Sequence, residues 1–149
     1  MRKLFTCSIA LAAVVCIGVG PAGAVTKLGL RGGLGLSPDQ FIIGAHLRTD
    51  AIAEDLYFVP SFEAGFGDDV TMIALNADLH YKFNSTSKTK PYIGGGLTLN
   101  WFDGEDDFGG SVLGGITLGH TNSGPIFLEA KLGLGDVPDA KFIVGLDLR

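Results

Sequence analysis

The sequence predicts an all-β fold: an eight-stranded antiparallel up-and-down transmembrane β-barrel with a polar, plugged interior. Three observations predict it. Eight segments of about ten residues alternate apolar and polar side chains from Val25 to the end of the chain. Short turns rich in Gly, Asp, Asn, Ser and Lys separate them. One face of every segment is apolar and uncharged, while the other carries glycine, hydroxyls, amides and nearly all of the strand charge. That is the pattern of a barrel that is greasy outside and polar inside.

The stretch before the first strand reads as an export signal. Arg2 and Lys3 form a basic start, an apolar run extends from about Leu4 to Val19, and Ala22-Gly23-Ala24 is an A-x-A cleavage site. Residues 1–24 are therefore expected to be a signal peptide cleaved after Ala24, leaving a barrel domain at 25–149. The apolar run is short for a membrane-spanning helix. Both cysteines, Cys7 and Cys16, fall within it, and Val15 is not the small residue that lipidation at Cys16 needs. The remainder suits one domain and has no thiol, so neither a disulfide framework nor a thiolate site is expected. No later run approaches the ~20 apolar residues of a spanning helix. A formal charge of −5 argues against nucleic acid as a partner.

The predicted strands are 25–33, 40–48, 55–66, 70–83, 91–102, 110–120, 125–135 and 140–149. The first points Thr26, Leu28 and Leu30 outward and Lys27 and Arg31 inward; the second sets Phe41, Ile43, Ala45 and Leu47 against His46 and Arg48. The third carries Leu56, Phe58, Pro60, Phe62, Ala64 and Phe66 outside, with Ser61 and Glu63 inside. A closed barrel has no free edge for a mid-strand proline, so a bulge or a missing ladder bond is expected at Pro60. The fourth sets Ile73, Leu75, Ala77, Leu79, Tyr81 and Phe83 against Asn76, Asp78, His80 and Lys82. The fifth sets Pro91, Ile93, Gly95, Leu97, Leu99 and Trp101 against Gly94, Gly96, Thr98 and Asn100. The sixth offers Val112, Gly114, Ile116 and Leu118, with Thr117 opposite. The seventh offers Ile126, Leu128, Ala130, Leu132 and Leu134 against Glu129 and Lys131, and the eighth Phe142, Val144, Leu146 and Leu148 against Lys141, Asp147 and Arg149.

The outward positions number 38 and carry no charge, where the chain average of 18% would give about seven. Arg or Lys at mid-bilayer would cost roughly 2–4 kcal/mol, which accounts for the exclusion. A soluble, lipocalin-like carrier of an apolar ligand would need the opposite orientation. An eight-stranded interior is only just wide enough for side chains and cannot hold so many Leu, Ile and Phe residues. Aromatics gather toward two rims, with Phe41, Phe66, Trp101, Phe102, Phe108 and Phe142 at one and Tyr57, Phe58, Tyr81, Phe83, Tyr92 and Phe127 at the other. That matches two interfacial girdles.

An even strand count puts both chain ends on one side, the periplasmic side in a bacterial barrel. The connections at about 34–39, 67–69, 103–109 and 136–139 then face outside. They hold Asp39, Asp68, Asp69, Asp103, Glu105, Asp106, Asp107, Asp136 and Asp139 and no base. The connections at about 49–54, 84–90 and 121–124 hold Asp50, Glu54, Lys88 and Lys90. Clustered carboxylates suit hard cations. Asp103, Glu105, Asp106 and Asp107 are the weak rim candidates for such an ion, without EF-hand spacing; solvated turns are the plainer reading.

Three stretches resemble small eight-stranded outer-membrane barrel proteins of the OmpA/OmpX-like type. Pro91-Tyr92-Ile93-Gly94-Gly95-Gly96-Leu97 with Asn100-Trp101-Phe102 resembles a strand common in that superfamily. Phe127-Leu128-Glu129-Ala130-Lys131 resembles its penultimate strand, and Phe142-Ile143-Val144-Gly145-Leu146-Asp147-Leu148 its closing strand. The resemblance implies a monomer in the outer membrane of a diderm bacterium, in contact with lipid and lipopolysaccharide and inserted by the barrel-insertion machinery. Such chains usually end in an aromatic residue. This one ends Leu148-Arg149, so either Leu148 supplies the apolar end or residues follow.

The inward charges Arg31, His46, Arg48, Glu63, Asp78, His80, Lys82, Glu129, Lys131, Asp147 and Arg149 are expected to form a satisfied interior network, because buried charges need partners. Neighbouring strands suggest Arg31 or Arg149 with Asp147, Lys131 with Glu129, and Lys82 or His80 with Asp78. No cofactor motif is present, and the sequence predicts a non-enzymatic protein with a structural or surface-interaction role. The enzymatic alternative, a lipid-modifying barrel hydrolase, would draw on His46, Ser61 and Glu63 on one inward face, or on His120-Thr121-Asn122-Ser123, which is better explained as turn chemistry.

Overall fold

The computed structural model describes residues 27–37, 39–68, 71–102, 105–137 and 139–148. The expected signal segment 1–24, Thr26, Asp69, Asp103 and Arg149 lie outside the described residues, as do the side chains of His120 and Thr121.

Alternation of apolar and polar residues with β-branched and aromatic content drives the chain into strands wherever the sequence predicted them. They are β1 (Lys27–Leu36), β2 (Gln40–Arg48), β3 (Ala51–Ala53), β4 (Leu56–Phe66), β5 (Thr71–Lys82), β6 (Lys90–Phe102), β7 (Glu105–Thr121), β8 (Gly124–Gly135) and β9 (Ala140–Asp147). All neighbours pair antiparallel. The order β2-β1-β9-β8-β7-β6-β5-β4 is closed by a β2–β4 pairing, giving a barrel of eight staves. The short β3 continues the second stave past a bend and pairs only with the start of β4, where a turn had been expected.

Closure leaves no sheet edge among the eight staves, the condition for a strand structure whose outer surface need not meet another sheet. Leu148 N–H donates to Leu28 O at 2.7 Å, extending the β1–β9 seam past the last strand residue. Both described ends of the chain lie at the same mouth, since Lys27 pairs with Arg48 and Gly29 with Asp147.

Pro60 stays in continuous register with Ala77 of β5. On its other side the β2–β4 ladder runs from Phe41↔Phe66 to His46↔Ser61 and stops there, one residue short of Pro60. A residue without an N–H sits where the ladder ends. The anticipated defect is thus a missing rung toward β2 and not a bulge. A bulge does occur in β7, where the register with β8 slips by one between Thr117 and His120. Its consequence corrects one outward assignment: Leu118 lines the barrel mouth.

The two faces separate as the alternation requires. Twenty-two large apolar side chains are exposed on the described residues, including Leu30, Leu34, Ile43, Ile93, Leu97, Leu132 and Val144. Phe41, Phe66, Phe108 and Phe142 are exposed at one rim and Tyr81 and Phe83, edge to face at 5.4 Å, at the other. Tyr92 and Phe127, assigned to a girdle from sequence, are instead buried inside, at 1% and 0% exposure. Both sit on inward positions of their strands, and strand parity overrides nearness to a rim.

The outer hairpin β6–β7 is tighter than predicted. Phe102 pairs with Glu105, Trp101 with Asp106 and Asn100 with Asp107, so the acidic run lies on a strand and not in a loop from 103 to 109. The strand pleat sends Asp106 to the face opposite that of Glu105 and Asp107. Among the described residues no three acids, histidines or cysteines converge as a metal-holding group.

Candidate functional site

The interior is the chemically distinctive part of the molecule. Four buried bases, Arg31, Arg48, Lys131 and Lys141, meet four buried acids, Glu63, Asp78, Glu129 and Asp147. Their long side chains fit because glycine stands beside them on neighbouring strands. Arg31 is flanked by Gly44 and Gly145, Asp78 by Gly96, and His46 by Gly29. A Cβ at Gly29 would overlap the His46 ring, and one at Gly145 the Phe127 ring. Glycine here serves close approach, and its cost in strand stability follows from that use.

At the centre, Arg31 Nη1 donates to Glu63 Oε1 at 3.2 Å and to Ser61 Oγ at 3.3 Å. Lys141 Nζ donates to the other oxygen of Glu63 at 2.8 Å. Lys131 Nζ reaches both oxygens of Asp78 at 2.8 Å and Asn76 Oδ1 at 3.1 Å. Asn76 also accepts from Thr98 and donates to Ser61. Toward the terminal mouth, Tyr92 O–H donates to Glu129 Oε2 at 2.8 Å while its ring stacks on His80 at 4.9 Å. Beyond it, His46 Nε2 lies 2.7 Å from Asp147 Oδ1, and Arg48 bonds the second oxygen of Asp147. Phe127 is held between the guanidiniums of Arg31 and Arg48, each 5.7 Å from its ring centroid.

Every ion pair among the described residues spans at least one intervening strand. That corrects the neighbour-strand pairings expected from sequence. Lys131 takes Asp78 and not Glu129, Arg31 takes Glu63 and not Asp147, and Lys82 places its ammonium 4.3 Å over the Tyr57 ring instead of on Asp78. His80 comes within 3.8 Å of Glu129. Arg149 lies outside the described residues. The cause is curvature: inward side chains of a narrow barrel converge on its axis, so a long chain meets the far wall before it can fold along its own. Lys141 belongs to the network although it was left out of the predicted set. Its inward parity was the available signal, and the structure sets it opposite Lys131 with its ammonium on Glu63.

The expected network is only partly satisfied, since Arg31 Nε and Nη2, His80 Nδ1 and the Asn100 amide are buried without a hydrogen-bond partner among the described residues, but the centre is filled. Between Thr98, Ser111, Lys131 and Lys141 the free space is about 10 Å³, about the volume a single water requires. The inward group His46, Ser61 and Glu63 does not assemble as a triad. His46 is committed to Asp147, Ser61 Oγ accepts from Arg31 and Asn76, and Glu63 is held by two bases, so no Ser–His bond forms among them.

The fold and lumen define a class: a closed eight-stranded antiparallel barrel, apolar outside and charge-paired inside. Solved structures are similar to this chain in fold. Neisserial surface protein A matches with a TM-score of 0.66 at 18% identity, covering 85% of this chain and 98% of that one. The N-terminal β-barrel domain of Pseudomonas aeruginosa OprF matches with a TM-score of 0.69 at 13% identity, covering 83% and 95%. The outer-membrane enzyme PagL matches with a TM-score of 0.54 at 13% identity, covering 83% and 99%. No family model and no curated protein sequence matches the chain. The likeness is one of fold, and one fold hosts both enzymes and proteins of other kinds.

Proposed function

We propose that this chain is a non-enzymatic, monomeric integral outer-membrane β-barrel protein with a structural or surface-interaction role. Residues 1–24 direct its export and 25–149 form the barrel. The observation that carries the reading is the reversal of faces: an exposed belt of large apolar side chains surrounds a lumen of paired, buried charges. Monomeric soluble proteins rarely expose so large a contiguous apolar surface. A lipid environment makes that belt favourable, and strands closed into a barrel satisfy every backbone group within it. The apolar surface also argues against a lipocalin-like carrier. The filled lumen argues against a conducting pore, and the partners of His46 and Ser61 against a lipid-modifying hydrolase.

On this reading the rim away from the chain ends faces outside. Its exposed acids Asp39, Asp68, Glu105, Asp106, Asp136 and Asp139 meet lipopolysaccharide phosphates through divalent cations. Cell fractionation with a heat-modifiable gel shift tests the proposal. The protein is expected in detergent extracts of outer membranes, migrating faster unheated than boiled. Recovery in the soluble periplasmic fraction would overturn it.

A further inference from the structure

The mouth that carries both chain ends differs from the rest of the lumen in having more bases than acids. It opens as a cavity of about 350 Å³ whose lining includes Lys27, Arg48, Lys82, Lys88 and Lys90. The acids on that lining are Asp50 and Asp147, so bases exceed acids by three. Asp147 is already held from within by His46 and Arg48. Deeper in the barrel each buried base has a carboxylate, whereas at the mouth Lys82 rests its ammonium on the Tyr57 ring. Like charges gathered around one cavity repel one another.

Arg48 gives the independent observation. It is 5% exposed and lines the cavity, yet only one of its nitrogens is engaged, by Asp147. Its Nε and Nη2, like those of Arg31 deeper in the lumen, are buried without a partner among the described residues, and a buried guanidinium edge left unpaired is costly; of the two arginines only Arg48 lines this cavity. Nε and one Nη together form the side-on fork that grips two oxygens of a single anion. Thr117 Oγ1, on the same lining, is likewise buried and unpartnered. Tyr57 supports the Lys82 ammonium from below by its ring.

We propose that this mouth is a binding site for a phosphate-bearing anion, gripped by the free edge of Arg48 and neutralised by Lys82, Lys90 and Lys27. Several surplus charges around one cavity suit a multiply charged oxyanion better than a single carboxylate. The cavity is at the small end of those that hold discrete ligands. Phosphate chemistry reaches such a mouth as a soluble phosphate compound or as the headgroup of an anionic lipid at the rim.

The purified barrel in zwitterionic detergent is titrated with inorganic pyrophosphate by calorimetry. In parallel, native mass spectrometry follows retention of phosphatidylglycerol against phosphatidylcholine. The comparison is with the Lys82→Gln/Lys90→Gln double variant, each sample checked for folding by the gel shift. Wild type is expected to bind at millimolar concentration or below, with about a tenfold loss or more in the variant. A Glu105→Gln/Asp106→Asn control at the far rim is expected to bind as wild type does. Pyrophosphate binding without selective retention of phosphatidylglycerol assigns a soluble ligand. Selective retention that pyrophosphate displaces assigns a headgroup. No binding in either arm, or equal binding by wild type and a folded double variant, would overturn the proposal.

Discussion

The same strands present two faces that solve opposite problems. Along β6, Ile93 and Leu97 are exposed while Tyr92, Thr98 and Asn100 are buried. Along β8, Leu128, Leu132 and Leu134 are exposed while Phe127, Glu129 and Lys131 are buried. Outside, each residue acts singly and needs only to be apolar, since any of several aliphatic side chains fits a lipid surface equally well. Inside, three carboxylates are fixed by partners on walls they do not adjoin: Glu63 by Arg31 and Lys141, Asp78 by Lys131, Asp147 by His46 and Arg48. Substitutions outside should therefore scale with hydrophobicity alone, and substitutions inside with the number of partners stranded.

The largest effect is expected at Glu63. Glu63→Ala leaves the guanidinium of Arg31 and the ammonium of Lys141 buried without their shared carboxylate, and is expected to destabilise the barrel by about 3–5 kcal/mol. Urea unfolding in lipid vesicles measures it. A loss below about 1 kcal/mol would mean that the lumen charges are solvated and not paired. The outward counterpart is Leu97→Arg, expected to cost about 2–4 kcal/mol on the proposed membrane reading because the side chain enters the apolar belt near its middle. Leu97→Arg without effect in vesicles would remove the lipid-facing assignment of that position. Smaller again is Tyr92→Phe. It keeps the stack on His80 and removes the hydroxyl bonded to Glu129, with an expected cost of about 1.5–3 kcal/mol in the same unfolding assay. An unchanged midpoint would show that Glu129 finds compensation elsewhere.

How much of this was legible in the sequence follows from what each feature depends on. Strand positions and faces depend on parity, which is local, and parity put Arg31, Glu63, Asp78, Glu129 and Lys131 inside. The pairings depend on closure, register and the short radius of the barrel. Those join residues as far apart in sequence as His46 and Asp147, and no local rule leads from one to the other. Tyr92 and Phe127 illustrate a conflict between two local rules. Aromatic residues near strand ends suggest a girdle, but their parity points inward, where a histidine face and two guanidiniums supply partners for the rings. Leu118 fell on the wrong face because an extra residue in β7 shifts the alternation after Thr117, and nothing in the glycine-rich local pattern marks which residue is extra. The basic mouth was half visible. Lys82 and Arg48 were read as lumen residues and Lys88 and Lys90 as turn residues, and only the folded hairpin between β5 and β6 brings them to one cavity.

The central claim is the direction of the two faces, and a cysteine scan from Pro91 to Trp101 in residues 25–149, which hold no native cysteine, tests it most directly. Each single cysteine carries a nitroxide, and its relaxation by lipid-dissolved oxygen is compared with that by a water-soluble nickel chelate in reconstituted vesicles. The account predicts a period of two, with oxygen dominating at 93, 95, 97 and 99 and falling at 94, 96, 98 and 100. A profile inverted in phase, or one in which the nickel chelate dominates at Ile93 and Leu97, would contradict it.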